Sequence, residues 1–185
     1  VERPPLTTGG PSQRPGPPSL DIASRLRRST SSYFFRQFVS VAAFACGTSL
    51  QGLIVLETMA WLEWLRADSR TDGARVAAIG NSGGGTLSLF LGAFCEDLAA
   101  VSSSGYPSTF EFVARKEKRH CLCNVLPGIV GELEMWQLLG CVAPRPLLIT
   151  QGAHDILSPN DLFHRVVRQT REAYARLQAG DRFHA

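Results

Sequence analysis

The chain has no paired cysteine spacing. Its five cysteines, at 46, 95, 121, 123 and 141, are odd in number, and none forms a C-x-x-C pair. That excludes a disulfide scaffold and leaves a reducing, cytoplasmic compartment as the default expectation. Charge is scarce as well: 19% of the 185 residues are charged and 44% are hydrophobic, which excludes disorder throughout. The small basic excess, +3, is confined to one end. Residues 1–36 carry six arginines against Glu2 and Asp21, a net +4, and the remainder is nearly neutral. No basic surface, and so no nucleic-acid partner, is expected of the folded part. A long uninterrupted apolar run is also missing. Gln37 to Leu56 is uncharged over 20 residues, but Gln37, Ser40, Thr48, Ser49 and Gln51 break it. A membrane span is therefore not expected, and no short apolar run near the start ends in a signal-cleavage pattern.

Proline and glycine are abundant only at the start. Six prolines and three glycines fall within residues 1–20, so 1–45 reads as a low-complexity, unstructured leader ahead of the folded domain at 46–185. Arg25, Arg27, Arg28 and Arg36 among Ser29, Ser31 and Ser32 give this leader the look of a targeting segment.

Beyond it, apolar runs of two lengths alternate. Leu50 to Arg66 is helix-forming and apolar round most of its circumference, which predicts a helix buried against a sheet, with Trp61 and Trp64 in the core. Short apolar runs at 75–80, 98–103 and 146–152, each bounded by turn residues, read as buried parallel strands. Helices are predicted at 84–95 and 161–177, the latter with Leu162, Val166, Val167, Tyr174 and Leu177 inward and its arginines outward. Residues 181–185 resemble the start of a further strand. The alternation predicts an α/β fold with a mostly parallel sheet flanked by helices.

The turn between the first strand and the next helix reads Gly80-Asn81-Ser82-Gly83-Gly84, a G-x-S-x-G pattern in the strand-to-helix context it requires. A serine on so sharp a turn has strained backbone angles, and small neighbours two before and two after, Gly80 and Gly84, avoid collision. The turn lifts the hydroxyl clear of the sheet and aims the Gly83 N–H at the oxygen of an attacked carbonyl. A phosphate loop would need Lys where Thr86 stands, and a dinucleotide fingerprint would need Gly at Ser82. A hydroxyl nucleophile needs a base, and the base an orienting carboxylate, in the chain order Ser, acid, His. Asp155 follows the third strand and so falls on the same sheet edge as Ser82.

The runs GNSGGGTLSLFLGA, HCLCNVLPG and APRPLLITQGAHDILSP resemble the α/β-hydrolase superfamily, in particular esterases of the dienelactone hydrolase and acetyl xylan esterase type. Gly47-Thr-Ser-Leu-Gln-Gly52 is similar to the lead into the helix before the nucleophile strand in that group. The resemblance spans about residues 47–184. It implies a serine esterase without cofactor or metal, acting on a small-molecule ester. Ser82 would be the nucleophile, Asp155 the acid and Gly83 an oxyanion-hole donor, with residues 106–143 as an insertion shaping the substrate pocket. The sequence departs from the pattern twice. No His-Gly-like loop with the second oxyanion donor precedes Leu50, and the N-terminal strands are not evident. The base is left between His184, which lies within a strand, and a histidine beyond the chain end, so the domain reads as truncated. A catalytically incomplete remnant serving as an interaction module, or a peptidase, is the alternative. His120, Cys121 and Cys123 lack the second ligand pair of a zinc site and are expected to be plain side chains. Arg115 to Arg119 reads as a solvated helix face.

Overall fold

The computed structural model describes residues 22–115 and 120–185, with side chains from Tyr33 onward. The chain forms α1 (Ile22–Ala45), α2 (Leu50–Ala67), β1 (Ala77–Asn81), α3 (Gly83–Phe94), β2 (Ala100–Ser104), α4 (Phe110–Arg115), α5 (Met135–Gly140), β3 (Leu147–Thr150), α6 (Asn160–Arg176) and β4 (Phe183–His184). The four strands lie in the order β1-β2-β3-β4 and every pair is parallel. This is the expected α/β sheet flanked by helices, with α2, α3, α6 and the four strands within about two residues of their predicted bounds.

Alternation along the strands separates two unlike faces. Val101, Ser103, Leu147, Ile149 and Phe183 are buried, and the apolar ones join residues of α3, α5 and α6 in one core. On the opposite face Ile79 is 82% exposed and Leu148 42% exposed. The helices described therefore cover one side of the sheet and leave the other to solvent.

The first 45 residues differ from expectation where they are described. Residues 22–45 are one helix, not an unstructured leader, and α1 packs on α2 and on the turn at Leu122–Asn124. The Gln37 side chain accepts from the Leu122 N–H at 3.1 Å, a contact 85 residues distant in sequence. The proline-rich stretch lies among residues 1–21, outside the described residues; past it neither proline nor glycine occurs through Ala45 to break a helix. Gly47, at φ +71°, ends α1, and the chain turns by 93° into α2. Ser49 caps α2 by accepting from the Gly52 N–H at 3.0 Å. Among the described residues no single helix is long and apolar enough to cross a membrane.

α2 is also less buried than its composition suggests. It packs on α3 and α1 through Gln51, Val55 and Leu62, while Leu53, Leu56, Trp61 and Trp64 form an exposed stripe. The two tryptophans, expected in the core, meet each other edge to face at the surface. Glu57, Glu63 and Arg66 mark only a narrow wet side of α2, which leaves most of its circumference without a sequence signal for which face turns inward. On α6, Phe163, Val166, Thr170 and Tyr174 face the core, and Leu177 is exposed. The inward set is shifted by one residue from the predicted one at the start of the helix. The stretch 116–119 lies outside the described residues.

The Ala-Pro-Arg-Pro run before β3 has a structural purpose. Arg145 donates to the carbonyls of Gly92 and Cys95 at 2.6 and 2.7 Å, closing the C-terminus of α3, where unsatisfied carbonyls and the helix dipole favour a cation. Its own carbonyl accepts from the Tyr174 hydroxyl at 2.7 Å, tying α6 to the same point. Arg145→Met is expected to lower the unfolding free energy by about 2–3 kcal/mol, because charge-assisted hydrogen bonds are lost and carbonyls orphaned. Urea denaturation with an unchanged m-value would show it; a shift under 0.5 kcal/mol would refute the clamp.

Candidate active site at the strand-to-helix turn

Ser82 connects β1 to α3 with φ +56° and ψ −118°, and only Gln178 shares positive φ among described non-glycine residues. Such backbone angles cost on the order of 1–3 kcal/mol and persist only where surrounding contacts enforce them. Here the contacts are identifiable. The Ser82 N–H donates to Ser104 O of β2 at 2.9 Å, and Ser82 O accepts from the Thr86 N–H at 2.9 Å, opening the helix. The side chain is exposed and makes no cap hydrogen bond, so its hydroxyl is left outward at the N-terminal end of α3.

The glycines divide unevenly. A Cβ on Gly80 would lie 2.1 Å from Gly84 O and 2.2 Å from its carbonyl carbon, so the turn cannot close without glycine there. Gly84, the other expected small neighbour, has nothing within 4 Å of the position its Cβ would take. The second steric requirement falls instead on Gly85, whose Cβ would come 2.5 Å from Ser104 O. The Gly85 carbonyl also accepts from the Ser103 hydroxyl at 2.8 Å. This need was invisible in sequence because it arises from β2 lying alongside the turn.

Asp155 sits in the loop after β3, at the same C-terminal sheet edge and two strands from β1, about 10 Å across at ordinary strand spacing. Its carboxylate accepts from the Leu157 N–H at 2.8 Å, and its N–H donates to Gly152 O at 3.1 Å, so the loop folds round it. Among the described residues no histidine hydrogen-bonds Ser82 or Asp155. His184 pairs in register with Leu148, which is level with Ser102 and Ile79. It therefore lies three residues short of the level of Ser82, about 10 Å back along the strands, on the exposed side of the sheet. His120 reaches the Asp155 loop another way: its Nε2 lies 2.7 Å from Leu157 O.

A cavity of about 580 Å³ abuts the turn, bounded by Gly83 and Gly84 and by residues of α1 and α2. Arg36, Gln51 and Asn124 are its polar side chains, Asn124 held where its Oδ1 accepts from the Thr86 hydroxyl at 3.0 Å. Burial holds the Tyr106 phenol well above its ordinary range, hence neutral. Burial, reinforced by the neighbouring Cys121, pushes the Cys123 thiol up to about 12. Cys123 is consequently a neutral thiol at physiological pH. Iodoacetamide at pH 8 should modify the exposed Cys46 and Cys141 first, with Cys123 reacting only as pH nears 12. Peptide mass spectrometry would read this order, and early modification of Cys123 would contradict it. No group of three or more metal-capable side chains stands together among the described residues.

A parallel sheet with helices, a serine forced into positive φ at a strand-to-helix turn and a carboxylate on the same edge define the α/β-hydrolase fold. Comparison with known proteins gives the same fold. No family model matches the sequence. A curated relative, "Putative hydrolase YtaP" of Bacillus subtilis (strain 168), is 23% identical over 138 residues, which is 73% of this chain and 46% of that protein. Among solved structures, a "putative acetyl xylan esterase" from Bacteroides fragilis NCTC 9343 superposes with a TM-score of 0.68 at 19% identity, covering 80% of this chain and 39% of that one. A carbohydrate esterase family 15 glucuronoyl esterase from Caldicellulosiruptor kristjansonii gives 0.52 at 20% identity, over 64% of this chain and 39% of that one. The chain thus spans under half the length of the relatives it matches.

Proposed function

We propose that this chain carries the nucleophile and the acid of a serine esterase. The observation that carries the reading is the strained backbone at Ser82, which holds an exposed hydroxyl at the N-terminus of α3. Ser82 Oγ attacks the carbonyl carbon of a carboxylic ester while a histidine, oriented by Asp155, takes its proton. The oxyanion accepts from the Gly83 N–H, favoured by the positive end of the helix. Collapse expels the alcohol with the proton returned by the histidine, and water then releases the acid from the acyl-serine. Acetyl esters are the first substrates to try, since one structural neighbour is described as an acetyl xylan esterase. No cofactor enters this scheme.

A fluorophosphonate probe tests the assignment directly. The adduct is expected on Ser82, located by peptide mass spectrometry, and absent from Ser82→Ala. Labelling of a different serine, or of none in a folded protein that carries the histidine, would overturn it.

A further inference from the structure

Two cavities follow one another along the groove between α2 and α3. The first is the 580 Å³ space at the turn; its α3 wall is Gly83, Gly84 and Leu87. The second, about 540 Å³, continues with Phe90 and Phe94 of the same helix. Positions 83, 87, 90 and 94 are spaced by three or four residues and so line one face of α3. From Gly83 to Phe94 that face runs about 16 Å at 1.5 Å per residue. α2 forms the other wall, with Ile54 beside the first cavity and Val55 and Met59 beside the second. The covering segment keeps the same order: Cys123 and Asn124 lie over the first cavity, and Leu126, Ile129 and Leu133 over the second.

The polarity changes along this path. The cavity at the turn offers the backbone of Gly83 and Gly84 together with Arg36 and Asn124, whereas the second is walled by aliphatic and aromatic side chains apart from Thr48, Gly52 and Gln51. Gln51 is the residue common to both. It is 4% exposed, and its Nε2 has no hydrogen-bond partner. A buried donor left unpaired is costly, and at this junction it is available to an acceptor oxygen of a bound molecule. A ligand that suits the whole path has an acceptor-bearing head at Gly83 and Gln51 and an unbranched apolar tail beyond.

We propose that this groove is an acyl-chain site, so that the esters cleaved at Ser82 carry a medium-length straight acyl chain, not only acetyl. The proposal rests on the reading of Ser82 as nucleophile for its catalytic part. The groove itself can be tested without turnover. Burying one methylene strengthens binding by a factor of about four at best, and a chain that enters the second cavity accumulates several such steps.

The test uses the whole 185-residue chain. Binding of decanoate and of butyrate to Ser82→Ala is measured by calorimetry, and hydrolysis of p-nitrophenyl acetate and octanoate by the unmodified chain is followed in parallel. Decanoate is expected to bind at least about tenfold more tightly than butyrate, and kcat/KM to rise at least about tenfold from acetate to octanoate. Met59→Trp, or Leu133→Trp if the first fails to fold, fills the second cavity and should remove the decanoate advantage and lower the octanoate-to-acetate ratio. Decanoate binding no tighter than that of butyrate, or untouched by both tryptophan variants, overturns the groove assignment whatever the turnover. Tight, Trp-sensitive decanoate binding upholds the groove even where neither ester is hydrolysed, and hydrolysis that persists unchanged in Ser82→Ala removes Ser82 as nucleophile.

Discussion

Ser82→Ala is expected to reduce ester hydrolysis by at least about 10³-fold while leaving the fold intact. Loss of a serine nucleophile removes the acyl-enzyme route altogether, and what remains is catalysis by binding and the oxyanion site alone. The substitution exchanges one exposed hydroxyl for hydrogen, and the side chain makes no cap hydrogen bond that stability would miss. The backbone at this position is at φ +56°, which alanine adopts no more readily than serine, so the strain is unchanged. Steady-state rates with a chromogenic ester, together with urea unfolding of both proteins, measure the two effects separately. Equal rates in the variant and the parent would mean that the hydrolysis arises elsewhere.

Gly80→Ala should act on stability with a comparable force. The added Cβ would lie 2.1 Å from the Gly84 carbonyl oxygen and 2.8 Å from its Cα, all backbone, so no side chain can rotate away. Strand β1 or the start of α3 must move, and the expected loss is at least about 3 kcal/mol. Gly84→Ala is the informative contrast. Its Cβ meets nothing within 4 Å, and replacing glycine within a helix by alanine stabilises by up to about 1 kcal/mol. Two glycines of one motif are thus expected to differ in sign. Chemical denaturation of both variants decides the matter, and similar losses at the two positions would refute the steric account of the turn.

The strand-to-helix turn was legible because its cause is local: Gly80 collides with a residue four positions away, well within reach of a sequence pattern. Gly85 was not, since the atom that forbids a side chain there, Ser104 O, becomes a neighbour only when β2 pairs with β1. Asp155 could be placed on the sheet edge from chain order, but the Leu157 N–H that engages its carboxylate belongs to a loop conformation. His184 was ambiguous for the same reason. Strand register, set by pairing with Leu148, holds it back from the edge, and register is decided across strands and not along one.

Burial shows the same division. Sequence marked Trp61, Trp64 and Leu177 as core by their chemistry, but α2 rests on α3 by a narrow strip and α6 turns Leu177 outward. Hydrophobic character says that a side chain can be buried; only the arrangement of neighbouring elements says that it is.

The sequence by itself therefore determined the alternation of strands and helices, the parallel sheet and the location of the serine turn. Each follows from periodicity or from sterics over a few residues. Tertiary structure alone decided that residues 22–45 are helical and pack on α2, that the described helices cover one sheet face, that Arg145 closes the end of α3, and that a groove runs from Gly83 past Gln51 to Phe94. These depend on atoms brought together from segments as far apart as Gln37 and Leu122, and no local pattern encodes that distance.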